Sequence, residues 1–338
     1  MRPLKPSQVH RLISFAVQAS RGIFTLVSEE KPLIGISACL LGAPVRFDGG
    51  HKHHPWLVKE LSKWVSWQSV CPEMEMGLGT PRESLRLVRQ VNQTHLIGNE
   101  TGADWTALAI SHSQRLINQL PDLDGFIFKK NSPSCGVEKV KIYSTSKTPI
   151  STGQGFFASA VLENRPEIPV IEEGRLSDPQ QREHFVTRVF AFHRWKKVSP
   201  KVAEIQKFHQ QYKLLLMAHS PGKYQLLGKI AANSLKLPVK KVSESYGKLF
   251  GEALLVPTSV KKRVNVLQHV WGYFKEEIPM KERSGFIEII EDYRNEELTF
   301  IAALTCLKQL LNRVSIPYLE SQFFFAPYPK KIRMSQYL

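Results

Sequence analysis

Residues 125–136 read GFIFKKNSPSCG, and this stretch decides the fold. Gly125-Phe126-Ile127-Phe128 is a short unbroken apolar run, the signature of a strand buried on both faces. It empties into a polar loop with Cys135 between Ser134 and Gly136. Two earlier stretches repeat the plan. Leu33-Ile34-Gly35-Ile36-Ser37 reads as a buried strand with Cys39 two residues on, and Trp67–Val70 is β-rich and runs directly into Cys71. Between them, 55–66 and 101–121 carry apolar residues at helical spacing, with Thr101 as N-cap and Pro121 as stop. Strands alternating with helices predict an α/β unit with a mostly parallel sheet. In such a sheet the carboxyl ends of the strands share one edge, where ligand sites form. Three thiols distant in sequence are therefore candidates to converge there.

The texture changes near residue 180. From there to about 315 the chain is helical in period, with Asp178 or Ser177 as the first cap and Pro238, Pro257 and Pro279 as punctuation. The expected organisation is an N-terminal extension (1–30), an α/β catalytic domain (31–176), an all-α basic domain (177–316) and an aromatic, Pro-rich tail (317–338). Of 46 Lys+Arg and 30 Asp+Glu, residues 1–180 hold 20 and 17 and residues 181–338 hold 26 and 13, balances of +3 and +13. The second half is thus the candidate for a polyanionic partner, against the simpler reading of a basic solvated surface. Two stretches stand out within it: Lys213, His219, Lys223, Tyr224 and Lys229 in or beside MAHSPGKY, and Lys261, Lys262 and Arg263 ahead of an aromatic-bearing helix. No apolar run approaches the ~20 residues of a membrane span. Four scattered cysteines make no disulfide framework, which predicts a reducing, cytoplasmic setting.

Three thiolates would fill three corners of an inorganic site and leave one open, as in catalytic zinc or a cubane iron–sulfur cluster. Zinc would be expected to recruit His51, His53 or His54. Cys306, inside a helical apolar pattern, reads as a small buried hydrophobe. Around the three thiols, Glu73 lies two residues after Cys71 and is the candidate proton shuttle. Arg46 and Asp48 sit on a Gly-rich turn after Cys39, and Ser132 and Ser134 precede Cys135.

SACLLGAPVRFDGG (37–50), CPEMEMGLGTPRE (71–83) and NSPSCG (131–136) resemble the motifs of the bacterial thiouracil desulfidase family, over about residues 31–175. YKLLLMAHSPGKYQLLGKIAAN (212–233) and PYLESQFFFAPYP (317–329) resemble a helical partner domain, a fusion similar to the tRNA 4-thiouridine desulfidases. The resemblance implies a [4Fe-4S] cluster on Cys39, Cys71 and Cys135 and a non-redox exchange of thiocarbonyl sulfur for oxygen. It also implies proton transfer by Glu73, assisted by Ser132 or Ser134, of which Ser132 is favoured. It makes tRNA the expected partner, with no membrane and no obligate protein partner. Two other readings stay open: a desulfidase of free thiopyrimidine bases, and a non-catalytic metal-containing regulator that binds nucleic acid.

Overall fold

The computed structural model describes residues 30–335, so the expected extension falls almost wholly outside it. Strands β1 (Leu33–Ser37), β2 (Ser66–Val70), β5 (Gly125–Phe128) and β8 (Val170–Glu172) form one all-parallel sheet in the order β2-β1-β5-β8. Its register is level: Ser37 pairs with Val70, and Ile36 with both Ser69 and Ile127. Gly35 is required in β1 because a Cβ there would strike the ring of Phe126 on β5. Phe126 and Phe128, two apart and therefore on one face, stack with centroids 4.1 Å apart.

Both faces of this sheet are covered. One packs Phe126 and Phe128 against α3 (Thr106–Gln119) and α4 (Phe156–Asn164), through Leu116, Ile117, Phe157 and Val161. The other packs Ile34, Ile36 and Ile127 against α1 (Pro55–Lys59) and α5 (Pro179–Lys196), through Trp56, Leu57, Phe185 and Val189. Each fully buried aliphatic side chain contributes about 1.5–3 kcal/mol. The sheet and helix pattern is the α/β arrangement expected from the sequence.

A second sheet was not anticipated. It has the order β4-β3-β6-β7, from β3 (Leu85–Gln90), β4 (Gln93–Gly98), β6 (Val140–Tyr143) and β7 (Pro149–Gly153). Its β3–β4 and β6–β7 pairs are antiparallel hairpins and β3–β6 is parallel. Thr101 does not cap α3. Its hydroxyl donates to Glu83 and accepts from the Ala103 N–H.

The helical half comprises α6 (Val202–His219), α7 (Pro221–Ala232), α8 (Val239–Leu255), α9 (Val260–Phe274), α10 (Met280–Arg294), α11 (Phe300–Arg313), α12 (Pro317–Glu320) and α13 (Lys330–Ser335). Asp178 caps α5 by accepting from the Gln180 and Gln181 N–H groups at 2.8 and 3.3 Å. Packing does not break at 176/177: α5 lies on the parallel sheet, while its Ala191 joins the core of the helical half. The aromatic tail is shared too, since Phe324 and Phe325 enter the helical core and Tyr328 and Ile332 the sheet's core. Cys306 is exposed, not buried as its pattern suggested, because it falls one position off the inward stripe of Ala303, Leu304 and Leu307. Among the described residues, no helix is long and apolar enough to cross a membrane.

Candidate active site

The chain leaves β1 to build β2 on one side and later returns to build β5 on the other. The crevice beyond the carboxyl ends of β1 and β5 is the switch point, where α/β sheets place ligands. Cys39 follows β1, Cys71 follows β2 and Cys135 follows β5. Adjacent strands lie about 4.8 Å apart, so the three thiols depart from about 10 Å of sheet edge. Cys39 and Cys135 are buried and Cys71 is half-buried.

Their electrostatics show that the thiols share one neighbourhood. Burial first, then Cys71, push the Cys39 thiol up to about 11 against the opposing charges of Lys129 and Arg46. Burial raises Cys135 well above the ordinary thiol range, Ser37 opposes through a hydrogen bond, and Glu73, Cys71 and Cys39 add to the rise. Cys71 is raised by burial against the opposing Met74 N–H. On their own the thiols are therefore neutral, and a cationic centre would reverse the balance.

Local folding explains the placement. Pro72 opens the short helix α2 (Pro72–Glu75) directly after Cys71, which puts Glu73 in its first turn. The Cys135 loop sits on the N-terminus of α4: Phe156 donates to the Pro133 carbonyl at 3.1 Å, and Phe157 and Ala158 donate to that of Ser134 at 3.0 and 3.1 Å. Gly155 permits this approach, because a Cβ there would meet the Ser134 backbone at 2.5 Å. Beyond the loop, Glu172 accepts from the N–H groups of Val137 and Glu138 at 2.8 and 3.0 Å.

Glu73 is held at both oxygens. Its Oε1 accepts from the Ser134 hydroxyl at 2.9 Å, and its Oε2 pairs with the guanidinium of Arg82. Arg82 is fixed in turn by the carbonyls of Gly79 (2.6 Å) and Val45 (3.0 Å). The serines thus have different places. The Ser132 hydroxyl accepts from the Ser134 and Cys135 N–H groups at 3.2 and 3.1 Å and builds the turn. Ser134, rather than the favoured Ser132, touches the carboxylate. Arg46 directs its field at Cys39, whereas Asp48 is exposed and tied to its own turn through the Gly50 N–H at 3.0 Å and Arg46.

Four contributors escaped the sequence reading: Ser37, Arg82, Lys129 and Glu173. The Ser37 hydroxyl accepts from the Lys129 N–H at 3.0 Å and bonds Cys135. Lys129 pairs with Glu173 at 2.6 Å. Each is the last residue of a parallel strand or its neighbour, or lies in a quoted motif, so strand-end position was the available signal.

The zinc expectation finds no support in the geometry. Among the described residues no three of His, Cys, Asp or Glu are grouped to hold a single ion. One zinc at 2.3 Å from each sulfur needs the sulfurs within about 4 Å of one another. His51 is exposed and accepts from the His53 N–H, while His54 is held low by burial and by Arg182. Three soft donors along a wider edge suit a cluster, which spreads its thiolates over several metals.

The proposed RNA contacts are dispersed. His219 is buried, with its Nδ1 on the Val256 carbonyl at 2.7 Å, so it is a core residue. Lys223 pairs with Glu252 at 2.7 Å, and Tyr224 stacks on His209 with centroids 5.2 Å apart. Lys213 lies over the Tyr318 ring at 5.8 Å, and Arg263 over that of Phe300 at 4.2 Å. Lys262 donates to the carbonyls of His219 and Pro257. Lys229 and Lys261 are exposed.

Comparison with known proteins finds separate matches for the two halves of the chain. Residues 34–173 match the family model described as 2-thiouracil desulfurase, and residues 213–329 match one described as a protein of unknown function, DUF1722. The uncharacterized protein YbgA of Escherichia coli K12 is 28% identical over 153 residues, 44% of this chain and 89% of that protein. The uncharacterized protein YbbK of Bacillus subtilis 168 is 29% identical over 153 residues, 43% of this chain and 99% of that protein. A solved structure of the [4Fe-4S]-dependent thiouracil desulfidase TudS is 33% identical, over 44% of this chain and 93% of that one, with a TM-score of 0.35. The desulfurase match runs from β1 to Glu173 and takes in all three thiols, Glu73 and Ser134, so the α/β half of this chain belongs to the 2-thiouracil desulfurase family and is a desulfidase-type enzyme domain.

Proposed function

We propose that this chain replaces the thiocarbonyl sulfur of a thiolated pyrimidine by oxygen, with 4-thiouridine in tRNA as the substrate. The observation that carries the reading is one rim bearing three thiols and a carboxylate fixed by Ser134 and Arg82. Cys39, Cys71 and Cys135 would hold a [4Fe-4S] cluster, the cofactor named for the similar TudS. When bound, such a cluster supplies a Lewis-acidic iron with affinity for soft sulfur.

The protein's own part is positioning and proton transfer. The Ser134 hydroxyl and the Arg82 guanidinium orient Glu73 and leave lone pairs on both oxygens for a water. As that water adds to the thione carbon, Glu73 takes its proton at Oε1 or Oε2. Carbon–oxygen bond formation and carbon–sulfur cleavage together convert a thiocarbonyl and water to a carbonyl and hydrogen sulfide, with no change of oxidation state. Lys129 and Arg46 supply positive charge beside the departing sulfide.

The +13 balance of the second half supports a polynucleotide substrate. A second reading, a free thiopyrimidine base, is favoured by the engagement of most nominated basic side chains within the fold. The test is anaerobic: cluster-loaded protein is mixed with bulk tRNA or with free thiouracil, and thionucleoside, uridine and sulfide are measured. Loss of 4-thiouridine from tRNA supports the first reading. Consumption of thiouracil alone replaces it with the second, and inertness toward both at full iron and sulfide content refutes the two together.

A further inference from the structure

A cavity of about 470 Å3, lined by none of the three thiols, lies between the first turns of α5, the C-terminal end of α6 and the starts of α9 and α11. The reaction described above does not use it. Its walls include Thr187, His184, His219, Arg263, Phe300 and Phe324. His184 and His219 stack with centroids 5.5 Å apart. Each has one ring nitrogen committed to a backbone carbonyl: His184 Nε2 to Leu254 and His219 Nδ1 to Val256, both at 2.7 Å. A carbonyl only accepts, so those nitrogens carry the protons. Burial, with Arg188 and Arg263 near His184 and with Arg263 and Lys262 near His219, keeps both rings neutral. His184 Nδ1 and His219 Nε2 are therefore acceptors.

Arg263 supplies the opposite character. Its guanidinium lies 4.2 Å over the Phe300 ring and bonds Tyr293, so it is pre-set rather than free to swing. Phe324 meets Phe300 edge to face at 5.8 Å. The cavity thus combines a fixed cation, two neutral acceptors, the Thr187 hydroxyl and aromatic walls. Of the two carboxylates that also line the cavity, Asp178 and Glu183, the first is taken up by the Gln180 and Gln181 N–H groups, which leaves it a poor ligand for a bare metal cation. An apolar guest would leave both imidazole acceptors without a donor and give Arg263 no anion. Inorganic phosphate would fill only a fraction of the volume, which is in the range of small-molecule sites.

We infer that this cavity binds one nucleoside monophosphate unit, its phosphate on Arg263 and its base and ribose donors on the imidazole nitrogens. The unit has two sources, a free nucleotide or one residue of an RNA strand. The strand source has a geometric basis. One 3-10 turn, Glu173–Ser177, links Glu173, the partner of Lys129 at the thiol rim, to Asp178 at the cavity. At about 2 Å per residue that turn spans about 10 Å.

The test reads binding alone, so it stands apart from the chemistry at the thiols. The full chain, labelled at histidine, is titrated by NMR with 5′-UMP, 5′-AMP, uridine and hexauridylate. The expected result is movement of the His184 and His219 ring signals, with exposed His51 unmoved. A nucleotide should bind at least roughly tenfold more tightly than uridine, because its phosphate makes a charge-assisted contact. Arg263→Gln should bring the two to one level. Response to hexauridylate alone supports the RNA source, and response to a mononucleotide that hexauridylate does not displace supports the free one. If no nucleotide or oligonucleotide moves His184 and His219 in the wild-type protein, the inference is overturned. Because that readout uses the wild-type chain, a poorly folded Arg263→Gln protein does not rescue it.

Discussion

Ser134→Ala and Ser132→Ala separate two jobs that neighbouring serines perform. Ser134 donates to a carboxylate oxygen of Glu73 at 2.9 Å, and the serine is 2% exposed. A hydrogen bond to a charged group in such a place is worth about 1.5–3 kcal/mol. If it fixes Glu73 for the attacking water, its loss lowers kcat by about 10- to 150-fold, at 1.36 kcal/mol per decade. Iron and sulfide per chain should stay at the wild-type level, because Ser134 Oγ does not bond a thiol or the turn that carries one. Ser132→Ala removes the acceptor for two backbone N–H groups, including that of Cys135. It should lower cluster occupancy, with kcat per intact cluster reduced less than in Ser134→Ala. The assay is anaerobic turnover normalised to measured iron and sulfide, with absorbance as a check on the cluster. Full turnover per cluster in Ser134→Ala, with a large loss in fully loaded Ser132→Ala, would refute the assignment and restore Ser132 as the partner of the base.

Other outcomes follow from the same geometry. Glu73→Gln should keep the brown chromophore and lose at least 100-fold in turnover, whereas Cys39→Ala should lose both, as read by absorbance and sulfide release. In the metal-free protein the Cys39 thiol, near 11, is about one part in 1,000 thiolate at pH 8, so iodoacetamide labelling at this site, followed by peptide mass spectrometry, should accelerate about tenfold per pH unit. Burial alone would raise the carboxyl of Asp124, but hydrogen bonds from His193, Lys196 and the Leu33 N–H outweigh it and hold the group low. Its stabilisation is therefore complete above the unfolded value near 3.9 and is lost as pH falls through the lower folded value. Asp124→Asn should cost about 1–3 kcal/mol at pH 7, because the buried His193 ring and the Leu33 N–H lose a charged acceptor while Lys196 keeps Asp122. The Tm gap from wild type should narrow below about pH 4, and a gap constant from pH 7 to pH 3 would contradict the clamp.

Legibility varied with the range of the interaction. The run Leu33–Ser37, the run Gly125–Phe128 and a helix start at Ser177 or Asp178 were plain in sequence, because local pattern dictates a buried strand or a helix start; the structure chose Asp178. The strands of the second sheet were missed for want of a strong apolar run: Pro149–Gly153 is mostly exposed, and the hairpin at Val91 and Asn92 lacks the glycine that usually marks such a turn. Arg82 stood inside a quoted motif, yet nothing local shows that its guanidinium folds back nine residues to Glu73. His219 looked like part of a basic surface motif, and only burial beneath Val256 reveals a core imidazole.

What the sequence by itself determined is the chemistry available. Thiols stand just past three strands, an acid lies two residues from one of them, and a helical half carries most of the positive charge. Those are matters of residue type and short-range periodicity, which act within a few neighbours along the chain. Which serine meets the acid, which arginine restrains it and which basic side chains remain open were decided only by tertiary structure. Each depends on groups brought together from 9 to 61 residues apart, as in the Arg82 and Ser134 contacts to Glu73. Strand order and register set such meetings, and a one-dimensional pattern carries no distance between its distant parts.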